Sequence, residues 1–445
     1  MKVYRGVLVG FLVPSISLLL SSAALAQSFQ LPVPGYPGNA LEPAAVGPEG
    51  TMVLDRARPD YDRQGVRVGD WLIYPQADLT ETWDSNIFAT QTDDDSDLYT
   101  TLSPSISAQS DWGRHYLSFN ADGSFKWYTT HSSENVNNAS ANVTGRYDIE
   151  RGSYFIGDAG YALQHEDRAS PDATANAKVP TQYSVTGAYL GYVREEGRFG
   201  VNVDGTITSY SYVNNSTTTG QTIIENDRSR IEYVGSVKGS YEILPQLPYK
   251  VFVRGVGDMR KYNAVDSGQF LLTPGVSARR DSHGWEVDAG ISMEITRLIT
   301  AELYAGWLEQ DYESTLFPSP SGPAFGGNLI WNPTPLDSVK ASASQSIAET
   351  DIVGASSSTE TNFELTLQHE LLRNVILVAN GGYIHDKYNG ISRVDDTFGG
   401  NLGARYLFNR YLRAYADAQY SSRSSNQPGG GYDRIQATVG IQAGF

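Results

Sequence analysis

The side chains that could perform chemistry in this sequence are six histidines, many serines and a large excess of carboxylates. His131 and Ser133 are two residues apart, so on an extended strand both would lie on one face, as a phospholipase built on a barrel requires. They occur in a serine- and asparagine-rich stretch, where chance explains such a pair. His385 and Asp386 suggest an omptin-like protease, but adjacent residues of a strand point to opposite faces. We therefore predict no catalytic residue.

Metal and cofactor sites are also weakly indicated. Asp93 to Asp95 could contact Ca²⁺, but the spacing of a calcium-binding loop is missing, and a solvated loop is the better interpretation. The chain has no cysteine, which excludes disulfides, zinc–thiolate sites, iron–sulfur clusters and an acylated-cysteine anchor. No glycine-rich phosphate loop is present. The sequence predicts no metal and no cofactor.

The composition indicates a class of protein more clearly than any motif does. The formal net charge is -17, and because a phosphate backbone requires a basic surface, nucleic acid is excluded as a partner. Tyrosine (28) and glycine (44) are both frequent. That combination suits transmembrane β-barrels, in which tyrosines form interfacial girdles and glycines let strands curve.

Apolar and polar residues alternate through most of the chain. Between residues 114 and 130, one face carries Leu117, Phe119, Ala121, Gly123, Phe125 and Trp127. Residues 138–150 repeat the pattern, and a helix, with a period of 3.6, could not sort these side chains. A soluble sandwich would also alternate. The sequence therefore predicts an all-β fold, and the connections must decide which kind.

The connections alternate between tight turns and longer polar loops, as in transmembrane barrels. The turns lie near 111–114, 150–153, 195–198, 244–248, 295–299, 334–337, 372–374 and 408–411. The loops lie near 85–97, 131–137, 167–182, 214–228, 263–283, 312–325, 350–358, 389–394 and 422–432. This asymmetry predicts an antiparallel up-and-down transmembrane β-barrel of about 18 strands with both termini in the periplasm, 16 strands being the second choice. Residues 269–280 could form an extra strand, but we assign them to a long outer loop.

Three segments divide the chain. Lys2 and Arg5 precede an apolar stretch that is short and interrupted, and a small-residue A-x-A site ends at Ala26. Residues 1–26 are therefore predicted to be a secretory signal peptide. Prolines and glycines in 27–66 predict an extended periplasmic segment, with a docking or plug role left open. Residues 67–445 are the predicted barrel, whose last strand has an apolar face and the aromatic residue Phe445, similar to the signal read by the outer-membrane assembly machinery.

Charged residues of both signs lie on the polar face of the predicted strands. Because lipid offers no hydrogen bonds, apolar side chains should face the membrane and these should face the lumen. The lumen-lining candidates are Lys126, Arg146, Asp204, Arg230, Lys238, Arg254, Asp258, Arg260, Glu286, Asp288, Arg405, Arg413 and Asp417. They could guide a hydrophilic solute, or merely hydrate the interior of a wide barrel, and the sequence favours neither interpretation.

Several segments resemble the β-barrel porin 2 family of outer-membrane barrels, which is often encoded beside exopolysaccharide genes. They are Glu81–Phe88 (ETWDSNIF), Arg280–Gly284 (RDSHG), Leu298–Glu302 (LITAE) and Trp331–Leu336 (WNPTPL). Their order and spacing fit most of residues 66–445. The resemblance implies a barrel without an established substrate, a possible part in polysaccharide export, and no family catalytic or binding residue.

From these observations we expect a non-enzymatic, porin-like channel in the outer membrane of a Gram-negative bacterium. The expected solute is hydrophilic, with exopolysaccharide favoured over general nutrients. The expected partners are outer-membrane lipid, the assembly machinery, polysaccharide and periplasmic export components. The alternative is a structural or adhesive surface barrel whose lumen is blocked, and a hydrolase at the rim is a weaker third hypothesis.

Overall fold

The computed structural model describes residues 51–445, apart from 245–246, 265–277 and 296–297. Eighteen long strands form a closed antiparallel barrel. They are β2 (Trp71–Asp84), β3 (Asp97–Ser110), β4 (Tyr116–Tyr128), β5 (Val136–Glu150), β6 (Ser153–His165), β7 (Gln182–Glu196), β8 (Phe199–Tyr212), β11 (Arg230–Leu244), β12 (Leu247–Tyr262), β13 (Ser282–Ile295), β14 (Ile299–Tyr312), β15 (Ser321–Trp331), β16 (Asp337–Ala348), β17 (Ser357–Leu372), β18 (Val375–Asn389), β19 (Val394–Leu407), β20 (Leu412–Ser425) and β21 (Tyr432–Gly444).

Three further strands are short. The strand β1 (Val66–Val68) pairs with the start of β2, whereas β9 (Asn215–Ser216) and β10 (Thr222–Ile223) form a hairpin within one loop. Among the described residues the helical segments are single 3₁₀ turns, at Val53–Asp55, Ser132–Glu134 and Asn226–Arg228. No helix in that part of the chain is long and apolar enough to span a membrane.

Pairing of the first and last long strands closes the barrel. The register between β2 and β21 runs from Gln76 opposite Gly444 to Asp84 opposite Gln436. Every other long strand pairs with its neighbours in the chain. Closure leaves no free sheet edge, so the backbone amides and carbonyls of the wall are paired inside the sheet, as a hydrocarbon environment requires. The prediction of eighteen strands is confirmed.

Alternation along each strand separates an apolar outer surface from a polar interior. Large apolar side chains are exposed on the outside, including Leu402 (68%), Tyr147 (60%) and Val439 (60%). A water-soluble protein rarely exposes so many of them contiguously, whereas lipid covers them at no cost. Trp127, Tyr161 and Trp307 are exposed on the same surface, as expected for anchors at the membrane interface.

The two ends of the barrel differ as the loop lengths predicted. At one end, which we call the turn end, the connections are tight, for example 151–152 and 197–198. At the other, which we call the loop end, they are long, for example 166–181 and 213–229. Residues 269–280, which we assigned to a loop rather than to an extra strand, fall mostly outside the described residues. The strands on either side of them are β12 and β13.

Candidate functional site

The thirteen predicted lumen residues all lie on the inner face of the wall, where most contact a group of opposite charge or an aromatic ring. One group centres on Arg254, whose guanidinium contacts Asp288 at 2.5 Å and Glu286 at 3.1 Å and lies 4.5 Å from the centre of the Tyr304 ring. Arg254 and Asp288 are direct cross-strand partners of β12 and β13. The strand register therefore brings three of the predicted residues together.

Other predicted residues form similar local pairs. Within 3.3 Å are Arg146 with Asp148, Arg230 with Glu232, Lys238 with Glu302, Arg260 with Asp258, and Arg405 with Asp417. Asp204 accepts a hydrogen bond from Ser236 at 2.7 Å, and the ammonium of Lys126 lies 4.6 Å from the centre of the Tyr99 ring. Charges paired in this way present small dipoles rather than a field of one sign.

A long connection at the loop end folds into the barrel. Residues 166–181, which we call the first inward loop, leave β6 and reach the wall at β21 and β20, which lie five and six strands from β6 around the barrel. Asp167 contacts Arg434 of β21 at 3.2 Å, and the guanidinium of Arg423 in β20 donates to the carbonyl of Ala169. Arg168 is held by a bidentate pair with Glu134 at 2.8 Å. These contacts hold the loop inside the lumen rather than above the rim of the barrel.

A second inward loop, residues 349–356, meets the first. The hydroxyl of Thr350 donates to Asp172 at 2.6 Å, which joins the two loops directly. Arg228, nearly fully buried, contacts Glu166 of the first loop at 2.8 Å and Asp351 of the second at 3.4 Å. The loop end of the lumen is therefore narrowed by two segments that share a buried arginine.

Glu349 fixes the base of the second inward loop. Its carboxylate contacts Arg260 of β12, accepts a hydrogen bond from the Tyr262 hydroxyl, and lies 3.7 Å from Arg280. Burial alone would raise the pKa of Glu349, but Arg260, Arg280 and Arg230 together hold it at about 2. The loop is thus anchored by a carboxylate that stays charged at physiological pH.

The turn end is occupied by residues 51–63, which we call the strap. The backbone amide of Val53 donates to Ser338 of β16 at 2.9 Å, and Arg58 forms a buried ion pair with Glu370 of β17 at 2.7 Å. Further along, Arg63 hydrogen-bonds Gln442 of β21 at 2.5 Å and also contacts Gln76 of β2. The strap therefore follows the inner wall from β16 round to β2.

An apolar cluster adds to the polar contacts of the strap. Val53 is fully buried and packs with Ile376, Val378 and Leu407, which point inward from β18 and β19. Apolar residues on the inner face of a hydrated barrel would be unfavourable unless covered. The strap covers them, so these three wall positions and Val53 are complementary parts of one contact.

Two of the family-like segments are explained by these contacts. Asp84, from the ETWDSNIF segment, is fully buried and binds Arg434 at 2.5 Å, and Asn332, from WNPTPL, accepts a hydrogen bond from Arg56 of the strap at 2.9 Å. Sequence reasoning left a docking or plug role open for residues 27–66 without placing the strap on the inner wall, and it did not predict that the two loops turn inward. The only available signal was the presence of Arg56, Arg58 and Arg63 in a proline-rich segment that otherwise looked like a linker.

The two histidine pairs considered as catalytic candidates, His131 with Ser133 and His385 with Asp386, form their hydrogen bonds with other residues. His131 lies 3.0 Å from both Asp95 and Asp97, while the hydroxyl of Ser133 contacts Glu134. The hydrogen bond with Asp97 is the main reason that the pKa of His131 is raised.

The second pair behaves as its spacing indicated. His385 contacts Asp396 at 2.8 Å, whereas its neighbour Asp386 is buried on the inner face beside Ser358. Among the residues that the structure describes, no three carboxylates or imidazoles converge as metal ligands.

A family model described as "Putative beta-barrel porin 2" matches residues 58–445. The chain belongs to this family. The match begins inside the strap, so the strap residues from Arg58 onward are part of the family's own pattern. No curated protein matches the chain significantly.

Several solved structures are similar in shape. They include the outer membrane protein OpdK from Pseudomonas aeruginosa (9% identity, TM-score 0.46, covering 84% of this chain and 99% of that one). A mutant of the ferric enterobactin receptor PfeA from the same organism has 7% identity and a TM-score of 0.46, covering 86% and 81%. The siderophore receptor PirA from Acinetobacter baumannii has 8% identity and a TM-score of 0.43, covering 83% and 80%. Similarity at this level gives no information about the solute of this chain.

Proposed function

We propose that this barrel is an outer-membrane channel for a hydrophilic solute, with an extracellular polysaccharide as the favoured class. The observation that carries the proposal is the inner wall of a closed eighteen-stranded barrel, which is lined by paired charges and tyrosines rather than by a packed apolar core. A barrel of this strand number encloses water unless loops fill it. In this proposal the turn end faces the periplasm, where export components could meet the strap.

The paired charges favour a bulky hydrophilic solute over a small ion. Many ion-selective pores carry rings of side chains of one charge sign, whereas here most cations of the wall contact a carboxylate, as Arg405 contacts Asp417. Hydroxyl groups can still hydrogen-bond to the outer lone pairs of such ion pairs. The polysaccharide class itself comes from the gene neighbourhood that the family resemblance implies.

A structural or adhesive barrel is the second candidate. The strap and the two inward loops favour it, because together they occupy both ends of the lumen. If neither moves, solute does not pass, and the exposed parts of the loops are the functional surface.

Single-channel conductance in a planar bilayer tests the proposal. The refolded chain without residues 1–26 is expected to give steady conductance, and fragments of neutral and anionic polysaccharides added to either side are expected to reduce it. A correctly folded barrel that stays silent in both directions and at high voltage would contradict the channel and support the adhesive alternative.

A further inference from the structure

Four carboxamide side chains form a row on the inner wall. Asn380 of β18 is directly opposite Asn401 of β19, Asn401 is opposite Gln419 of β20, and Gln419 is opposite Gln436 of β21. Directly opposed side chains have Cβ atoms about 5 Å apart, so the row spans about 14 Å around the wall. We call these four residues the amide row.

The amide row faces the lumen. Asn401 is 7% exposed and Gln436 is 5% exposed, whereas the next residue along β19, Leu402, belongs to the outer surface. Asn380 is two residues from Val378, whose side chain packs inside the barrel with Val53 of the strap. Period-two alternation puts the row on the same inner face.

Each member of the row has one amide atom without a hydrogen-bond partner among the described residues. These atoms are Asn380 Nδ2, Asn401 Oδ1, Gln419 Nε2 and Gln436 Oε1. Leaving a buried polar atom unpaired costs about 1–3 kcal/mol, and native proteins rarely do so. Water or the hydroxyl groups of a solute held against the wall could complete these bonds, and the row offers them two donors and two acceptors.

Two of the four side chains are held in place from the other side. Asn401 Nδ2 donates to Asp417 at 3.2 Å. Gln436 Nε2 donates to Asp84 at 2.8 Å and to the Tyr99 hydroxyl at 3.2 Å. The acceptor oxygens that remain are thus fixed in orientation, which lowers the entropy cost of binding a hydroxyl group.

Next to the amide row, toward the loop end, lies a second row whose inward-facing residues are small on three strands. Gly382 is opposite Gly399, and Gly399 is opposite Ser421. At its β21 end this row contains Arg434, directly opposite Ser421, so the small inward positions beside the amides are confined to β18, β19 and β20. Across the barrel the wall instead carries the ion-paired group of Arg254 and Asp288. The two walls therefore differ in chemistry.

We propose that the amide row is a binding subsite for a neutral oligosaccharide, whose hydroxyl groups pair with the free amide atoms. Carboxamides both donate and accept, as hydroxyl groups do, and carry no charge that would prefer an ionic solute. The proposal rests on the proposed function, since it names the solute class of the same lumen. The strap lies against Ile376 and Val378 on the turn side of the row, so a bound chain would extend from the row toward the strap.

Binding is measured with maltohexaose as the neutral probe and an oligogalacturonate of equal length as the anionic probe. Isothermal titration of the full barrel in detergent reads affinity without requiring conduction. The test variant is Asn401→Leu with Gln419→Leu, which keeps side-chain volume and removes hydrogen bonding. The matched control is Asn202→Leu, on β8, nine strands from β19 in the eighteen-strand ring.

The expected result is that maltohexaose binds more tightly than the anionic probe and that the double variant loses at least about tenfold in affinity, while Asn202→Leu does not. Equal affinity in the wild-type and double-variant barrels, or no binding of maltohexaose at all, would overturn the subsite. If the double variant fails to fold, Gln419→Leu alone is tested, with a smaller loss expected. If the barrel binds maltohexaose through the amide row but conducts no current, the channel is refuted and the subsite stands. If the barrel conducts current but the amide row does not affect binding, the subsite is refuted and the channel stands.

Discussion

At the scale of single residues, the barrel interior depends on charges that are buried with their partners. Arg434 is the clearest case, because its guanidinium is almost fully buried between Asp84 of β2 and Asp167 of the first inward loop. The pair with Asp84 also spans the seam where the first and last long strands meet. One side chain thus contributes to barrel closure and to the position of a loop.

Replacement of Arg434 by Met should destabilise the barrel by about 3–5 kcal/mol, because it leaves the buried carboxylate of Asp84 without its counter-charge. Urea unfolding in lipid vesicles, followed by tryptophan fluorescence, measures this loss. Arg194→Met is the control, since the pair of Arg194 with Glu196 is exposed and its loss should change little. Adding Asp84→Asn to Arg434→Met should recover part of the stability. A cost as small as that of the control would contradict the assigned role.

His131 should make the stability of the loop end depend on pH. Its pKa is raised above the ordinary 6.5, chiefly by the hydrogen bond with Asp97, with Asp95 adding to the effect. A raised pKa means that the stabilisation is fully present below about 6.5 and is lost as pH rises through the folded-state pKa. The difference in unfolding free energy between the wild-type chain and His131→Gln should therefore be larger at pH 5.5 than at pH 9. A difference that is constant with pH would show that the imidazolium does not contribute.

At the scale of elements, the strap and the inward loops are distinguished from the strands by what holds them. The strands are fixed by continuous backbone pairing, whereas the strap is fixed by side-chain contacts and one small apolar cluster. Segments held in this way open at lower free energy than the sheet that they contact. The strap is therefore expected to leave the lumen before any strand of the wall unfolds.

Release of the strap can be measured directly because the chain has no cysteine. Leu54→Cys places a single thiol on the strap, and a bulky maleimide should label it slowly in the otherwise wild-type chain. Adding Arg56→Gln and Arg58→Gln removes the contacts to Asn332 and Glu370, so labelling should become at least about tenfold faster.

Arg67→Gln is the matched control for strap release, because the ion pair of Arg67 with Asp111 is exposed and lies outside the strap. It should leave the labelling rate of Leu54→Cys unchanged. Equal rates in the release variant and in this control would mean that the strap is already free in solution.

The elements also show what the sequence could predict. Period-two alternation and loop lengths predicted eighteen strands, because both are local properties of the chain, and register then accounts for near pairs such as Arg254 with Asp288. The partners of the strap could not be predicted. Arg58 and Glu370 are 312 residues apart, and no periodicity links a linker-like segment to one wall of a barrel.

The same limit applied to the inward loops and the amide row. A long polar loop has the same kind of sequence whether it folds into the lumen or extends away from the barrel. The amide row could not be predicted from the sequence. Alternation places Asn380, Asn401 and Gln419 on the polar face of their strands, but it does not show that they lie directly opposite one another on neighbouring strands. Only strand stagger decides that, and closure of the barrel fixes the stagger.

At the scale of the whole molecule, the strap and the inward loops lie at the two ends of one lumen, so in the proposed channel they act as two constrictions in series. Resistances in series add, so the narrower constriction dominates the conductance until it is removed. Release of the strap alone, or deletion of residues 169–176 from the first inward loop alone, should therefore raise conductance only to the limit set by the other. The two changes together should raise it by more than the sum of the separate increases.

This prediction is tested by measuring the conductance of four barrels in planar bilayers. They are the wild type, the strap-release variant (Arg56→Gln with Arg58→Gln), the loop-deletion variant, and the variant that combines both changes. The deletion removes the contact of Asp172 with Thr350, which joins the inward loops, while Arg168 still holds the shortened loop to Glu134. Simple addition of the two increases would mean that the constrictions do not share one path. If strap release alone gave the conductance of the double change, the inward loops would not restrict flow, and their contact around Arg228 would serve only to hold the loop end of the barrel together.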